Sequence, residues 1–253
     1  MIEVSKPYIN QARYLLNFRE PQKSVRLDQR EAELAFGGMV AGQSQQLNVP
    51  DSADPNIARI VFASGKKNLT ISQLAVQLTL SFDATLDVAK QMAIVEKNVR
   101  DFHHRVPQFK ELSTFAANAL ILHINFPSTE TSGRLNEFLY EKLIKQAPVG
   151  EIASVQTNLG FKFGEIFANI GASIYESRRF SATFEPGVNP LMQTFDLTSL
   201  PVIESGLQIT LDINNRPRQL ANPNVVAQEP DPLIDVIQDM LSQHMPKLIG
   251  LNV

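Results

Sequence analysis

Cysteine and tryptophan are absent from this chain, histidine occurs only four times, and acidic and basic residues nearly cancel, 26 against 23. The missing cysteine removes disulfides, thiolate nucleophiles and cysteine-ligated zinc together, and it fits a reducing, cytoplasmic setting. A net charge of -3 lacks the basic excess of a dedicated nucleic-acid binder, so nucleic acid is not an expected partner. No apolar run approaches the roughly 18 residues that a membrane span needs. Residues 1–6 are mixed polar and do not read as a signal peptide, so no membrane partner is expected. What is present is core-forming material: 43% of the 253 residues are hydrophobic, enough for one large domain or two small ones.

The clearest stretch runs from Ile57 to Val106. Ala58, Ile60 and Phe62 alternate with Ile57, Arg59 and Val61, Ser64 to Asn68 make a turn, and Leu69 and Ile71 follow, which predicts a hairpin. Leu74, Val76, Leu78, Leu80 and Phe82 then alternate with Ala75, Gln77, Thr79 and Ser81, a strand with one buried face. Asp83 is the expected N-cap of a helix with Val88, Met92, Val95, Val99, Phe102 and Val106 on its apolar stripe, stopped by Pro107.

Around this stretch, Tyr8, Ala12, Tyr14, Leu16 and Phe18 share one face of a first strand, with Gln11, Arg13 and Asn17 opposite. Residues 20–55 read as a loop-rich insertion with one short strand or helix. Residues 119–126 form another strand, placed mid-sheet, and Thr131 or Ser132 caps a helix carrying Leu135, Phe138, Leu139 and Leu143. Consecutive strands are expected at 159–163, 166–174 and 180–184, and a last strong one at Leu207, Ile209, Leu211 and Ile213. Asp231 and Pro232 open a final helix that Pro246 closes.

Strands and helices do not alternate as a parallel sheet requires. The expectation is therefore an α+β fold, antiparallel sheet with amphipathic helices packed on one face. The chain reads as a single domain, 1–253, possessing two similar halves, about 1–126 and 150–253, joined by the helix near 132–146. The uncovered face of such a sheet carries Gln77, Thr79, Gln208, Thr210 and Asp212.

No catalytic constellation stands out. Adjacent His103 and His104 point about 100° apart on a helix and make a poor chelate. The glycines 37, 38 and 42 lack the Lys-Ser/Thr pair of a phosphate loop. Ser154, Ser173 and Ser181 lack a nucleophile elbow. The candidate binding residues are His123 and Asn125 on the mid-sheet strand, Arg178 and Arg179 as an anion or acidic-partner site, and Asp212, Gln77 and Thr79 on the polar face. No cofactor and no metal ligand set is expected, and no catalytic residue is assigned.

The segments Arg59 to Ser64, Leu69 to Ser72, Leu120-Ile121-Leu122-His123-Ile124-Asn125 and Gly206 to Ile213, each in this order with an amphipathic helix behind them, resemble a sporadically distributed family of uncharacterised bacterial proteins of similar length. The resemblance implies the architecture and brings no activity. Three functions follow from the residues. The first is a non-enzymatic cytoplasmic binding protein acting through self-association or a protein partner, presenting its polar sheet face and the 215–229 loop. The second is a small-molecule carrier whose cavity is lined by Phe161, Phe163, Phe180 and Phe184. The third is a hydrolase using Asp212, His123 and Arg179, or a nuclease assembled from scattered acids.

Overall fold

Strict alternation produces the expected strands, and a register shift explains where one of them departs from it. The computed structural model describes residues 2–40, 44–179, 200–216, 218, 222, 227 and 229–251. Nine strands pair antiparallel in one open sheet: β1 (Tyr8–Phe18), β2 (Ser44–Gln46), β3 (Ala58–Ser64), β4 (Lys67–Ser72), β5 (Ala75–Ser81), β6 (Phe115–Pro127), β7 (Thr157–Phe163), β8 (Ile166–Arg178) and β9 (Val202–Asn214). Their order across the sheet is β2-β3-β4-β5-β1-β6-β9-β8-β7. From the central β1–β6 junction outward, the two sides run β1, β5, β4, β3 and β6, β9, β8, β7. The fold is the expected α+β class.

Helices α1 (Gln29–Phe36), α2 (Val88–Phe109), α3 (Ser132–Leu139), α4 (Asp231–Asp239) and α5 (Met245–Ile249) cover one face of this sheet. Wide turns extend α3 through Tyr140–Ile144 and link α4 to α5 through Met240–His244. The insertion at 20–55 thus holds both a helix and a short strand. The expected strand at 180–184 lies outside the described residues, as does most of the 215–229 loop. Even-numbered β1 residues Ala12, Tyr14, Leu16 and Phe18 meet the helices, where Phe102 of α2 sits edge-on to Tyr14 at 5.7 Å and stacked on Phe36 at 5.4 Å.

Three helix boundaries differ from the sequence expectation, each for a local reason. The α2 cap is Asp87, whose side chain accepts the Lys90 amide at 2.8 Å. Asp83 is instead taken by Lys66 and by the backbone and hydroxyl of Thr85. Pro107 does not stop α2: it sits exposed in the last turn, where a missing N–H costs only one ladder bond, and Lys110 still donates to the Val106 carbonyl. Pro246 likewise lies at the start of α5, a tolerated position, and the helix ends at Ile249 before Gly250 with φ +72°.

Tyr8 is the departure within a strand. Alternation puts it with Ala12 and Tyr14, but a bulge between Ile9 and Gln11 reverses its side, and it pairs with Asn125 on the face away from the helices. The bulge is held from above by Gln91, fully buried on α2, which accepts the Ile9 amide at 2.6 Å and donates to the Asp83 carbonyl at 2.9 Å. Gln91→Leu keeps the volume and orphans both backbone groups. It is expected to lower stability by about 1–2 kcal/mol in a urea titration, and a loss near zero contradicts a role for Gln91 in fixing the bulge.

Candidate functional site

The face without described helices is built by strand register. Across six adjacent strands, Asn68, Thr79, Arg13, Ile121, Asp212 and Asn169 stand side by side. A parallel row runs Ser81, Gln11, His123, Thr210 and Gly171. Strands lie about 4.8 Å apart, so neighbouring side chains in a row reach one another. Most are half-buried, and no described helix packs over them.

Two hydrogen-bonded clusters organise this carpet. In the first, the Arg13 guanidinium, a permanent donor, lies 2.9 Å from His123 Nε2, which must therefore accept. Nδ1 then carries the ring proton and donates to Thr210 Oγ1 at 3.1 Å. Burial, and secondarily the Arg13 charge, hold the His123 pKa below the usual histidine value, so the ring is neutral near pH 7. In the second, Glu204 Oε1 accepts from Tyr8 at 2.7 Å and from Tyr175 at 2.8 Å, Asn125 donates to the Tyr8 oxygen at 3.2 Å, and Gln208 donates to Asn125 Oδ1 at 3.0 Å. Burial and the Glu204 carboxylate push both tyrosine pKa values up, which keeps both phenols as donors. Gly206 lies between these groups on β9, and a Cβ there would stand 2.1 Å from the Phe126 carbonyl oxygen. The close approach of β9 to β6 at this end requires glycine.

Of the sequence-stated candidates, His123, Asn125, Asp212, Gln77 and Thr79 all fall on this face. His123, Asn125 and Asp212 occupy the adjacent β6 and β9, while Gln77 and Thr79 lie on β5, across β1 from them. Gln77 bonds Thr79 at 3.0 Å, and Asp212 accepts from Asn214 at 3.0 Å. The two arginines do not join them. Arg178 turns to Glu176 and the Leu200 carbonyl, and Arg179 lies exposed beyond the end of β8. His123 has both ring nitrogens engaged and Arg179 is remote, so the Asp212, His123 and Arg179 set does not converge. Arg13, Tyr8, Tyr175 and Glu204 complete the face. Arg13 was legible as an odd-numbered residue of an alternating strand, while Tyr8 was hidden by the bulge.

Phe161 and Phe163 line a recess of about 240 Å³ with Ile170, Met240, His244 and Leu248, open at the sheet edge. Its volume is below the roughly 300–1,000 Å³ of drug-sized ligand sites. Phe180 and Phe184 lie outside the described residues. Among the described residues, no cluster of three or more His, Asp or Glu is placed to hold a metal ion, and no helix is long and apolar enough to cross a membrane. No family model, curated protein or solved structure matches this chain.

Proposed function

We propose that this chain is a non-enzymatic, cytoplasmic interaction protein that docks a protein partner on the face of its sheet opposite the described helices. The observation that carries the reading is the laterally bonded polar carpet from β4 to β8, on which no described helix packs. Arg13, His123 and Thr210 hold one another in place, as do Tyr8, Tyr175 and Glu204, so little side-chain freedom is left to lose on docking. Such a surface matches the polar, wet character of non-obligate protein interfaces. Its mixture of one arginine with Asp212 and Glu204 disfavours a polyanion. The layout resemblance to the bacterial family belongs to this reading and adds no activity to it.

The test pairs immobilised proteins against an extract of the source cells. Thr79→Arg with Ser173→Arg places two bulky cations on the face, and Ala93→Arg does the same on the exposed side of α2. A partner retained by the wild type and by Ala93→Arg, and at least tenfold less by the face variant, is the expected result. Equal retention by all three proteins contradicts the assignment.

A further inference from the structure

The two edges of the sheet are finished differently. At one, β3 is covered by the three residues of β2, continued by a Leu47 amide bond to the Arg59 carbonyl. At the other, β7 holds the place corresponding to β3, and no described residue pairs with its outer side. An uncovered edge strand presents alternate N–H and C=O groups ready for another strand. Two of the usual protections are missing, since β7 contains no proline and its register with β8 is unbroken by a bulge, and Lys162 is its one charged residue. Its side chains divide cleanly. Thr157, Leu159, Phe161 and Phe163 face the helices, and Asn158, Gly160 and Lys162 face the open side. Phe161 is 40% exposed and forms one wall of the recess beneath Met240 and His244.

We propose that β7 pairs antiparallel with β7 of a second copy of this chain, centred on Gly160. The strand is complementary to itself in this register. All seven residues overlap, Leu159 opposes Phe161 of the other copy in both directions, and Thr157 opposes Phe163. On the open side Lys162 meets Asn158, so no like charges face each other, whereas a shift that centres the pair on Lys162 would oppose two ammonium groups. Glycine at the two-fold removes side-chain crowding at the axis. The Leu159 and Phe161 side chains of each copy close the recess of the other. The opposite edge offers only the three-residue β2, so the interaction closes as a two-fold dimer and does not propagate. The two sheet faces opposite the described helices then join into one continuous surface. This interface is separate from the docking face and does not rest on the reading given for it.

The absence of cysteine makes the register directly testable. In sedimentation experiments the wild type forms a dimer with increasing concentration, and Phe161→Lys raises the dissociation constant at least tenfold while leaving the unfolding midpoint nearly unchanged. Under oxidation, Gly160→Cys gives a covalent dimer and Asn158→Cys alone does not. An equimolar mixture of Asn158→Cys and Lys162→Cys cross-links between the two variants. That mixed pair also reads the register if Gly160→Cys folds poorly beside the Asn169 side-chain Oδ1, 3.3 Å from the added Cβ. A monomer at every concentration with no cross-link overturns the proposal, as does a dimer insensitive to Phe161→Lys or one joined by Asn158→Cys alone. Partner capture by Phe161→Lys and dimerisation by the Thr79 and Ser173 variant remain intact, so the two readings fail separately.

Discussion

Arg59→Ala is expected to remove on the order of 3–5 kcal/mol of folding stability. Arg59 is fully buried on β3, at the second strand from the sheet edge. Its guanidinium donates to the Ile57 carbonyl at 2.6 Å and, at 3.3 to 3.5 Å, to the carbonyls of Pro50, Ala53 and Asp54. It therefore organises the loop that leaves β2 and returns to β3. Truncation leaves a large void and strips a planar set of donors from four carbonyls at once. Lysine has the charge but not the fork, so Arg59→Lys should recover about half of the loss. Chemical denaturation measures the difference, and limited proteolysis within 47–57 should rise in step. A loss under about 1 kcal/mol for the alanine variant would show that the loop holds itself.

Tyr14→Phe is expected to cost about 2–4 kcal/mol, because one hydroxyl serves two buried partners. Asn118 donates to the Tyr14 oxygen at 3.0 Å, leaving the phenolic proton for His103 Nδ1 at 2.9 Å. His103 is consequently protonated on Nε2, which points toward the exposed Glu229 carboxylate 3.6 Å away. Burial dominates and lowers the His103 pKa, with Glu229 and Asp231 opposing it. Burial likewise raises the Tyr14 pKa. Arg100 and His104 are the other charged or titratable groups that line the recess beside this ring.

The pH dependence follows from the sign of that shift. A neutral histidine in the folded chain and an ordinary one in the unfolded chain means that the unfolded state binds more protons below about pH 6.5. Stability is therefore fully present above that pH and is lost as the pH falls through it toward the lowered folded value. His123 contributes in the same direction. The unfolding midpoint of the wild type should drop between pH 7.5 and 5.5, and His103→Gln should flatten the slope even if its midpoint is lower throughout. An unchanged slope contradicts neutral burial of His103.

The strands were legible because side-chain period and burial coincide. Leu74 to Phe82 and Leu207 to Ile213 alternate in sequence as they do in the sheet, and β6 lies in the middle where its apolar composition put it. Helix ends were less legible, since Asp83 and Asp87 offer the same chemistry and only the loop geometry selects the second. Pro107 and Pro246 read as stops because proline lacks an N–H, yet α2 forgoes a single bond at Pro107 in its last turn and Pro246 stands at the start of α5, where proline is tolerated. The open face could be read as polar from Gln77, Thr79, Gln208, Thr210 and Asp212, but its clusters could not. Arg13 meets His123 across strands 110 positions apart in sequence, and Tyr8 meets Glu204 over 196. Neither pairing has a local signal.

The proposed docking surface is tested most directly by thiol protection, since every introduced cysteine is unique in this chain. Single Thr79→Cys, Ser173→Cys and Ala93→Cys variants are alkylated with and without the partner isolated by the wild type. Bound partner is expected to slow labelling at positions 79 and 173 by at least tenfold and to leave position 93 unchanged. Protection at 93 with free labelling at 79 and 173 would place the partner on the helices and contradict the assignment.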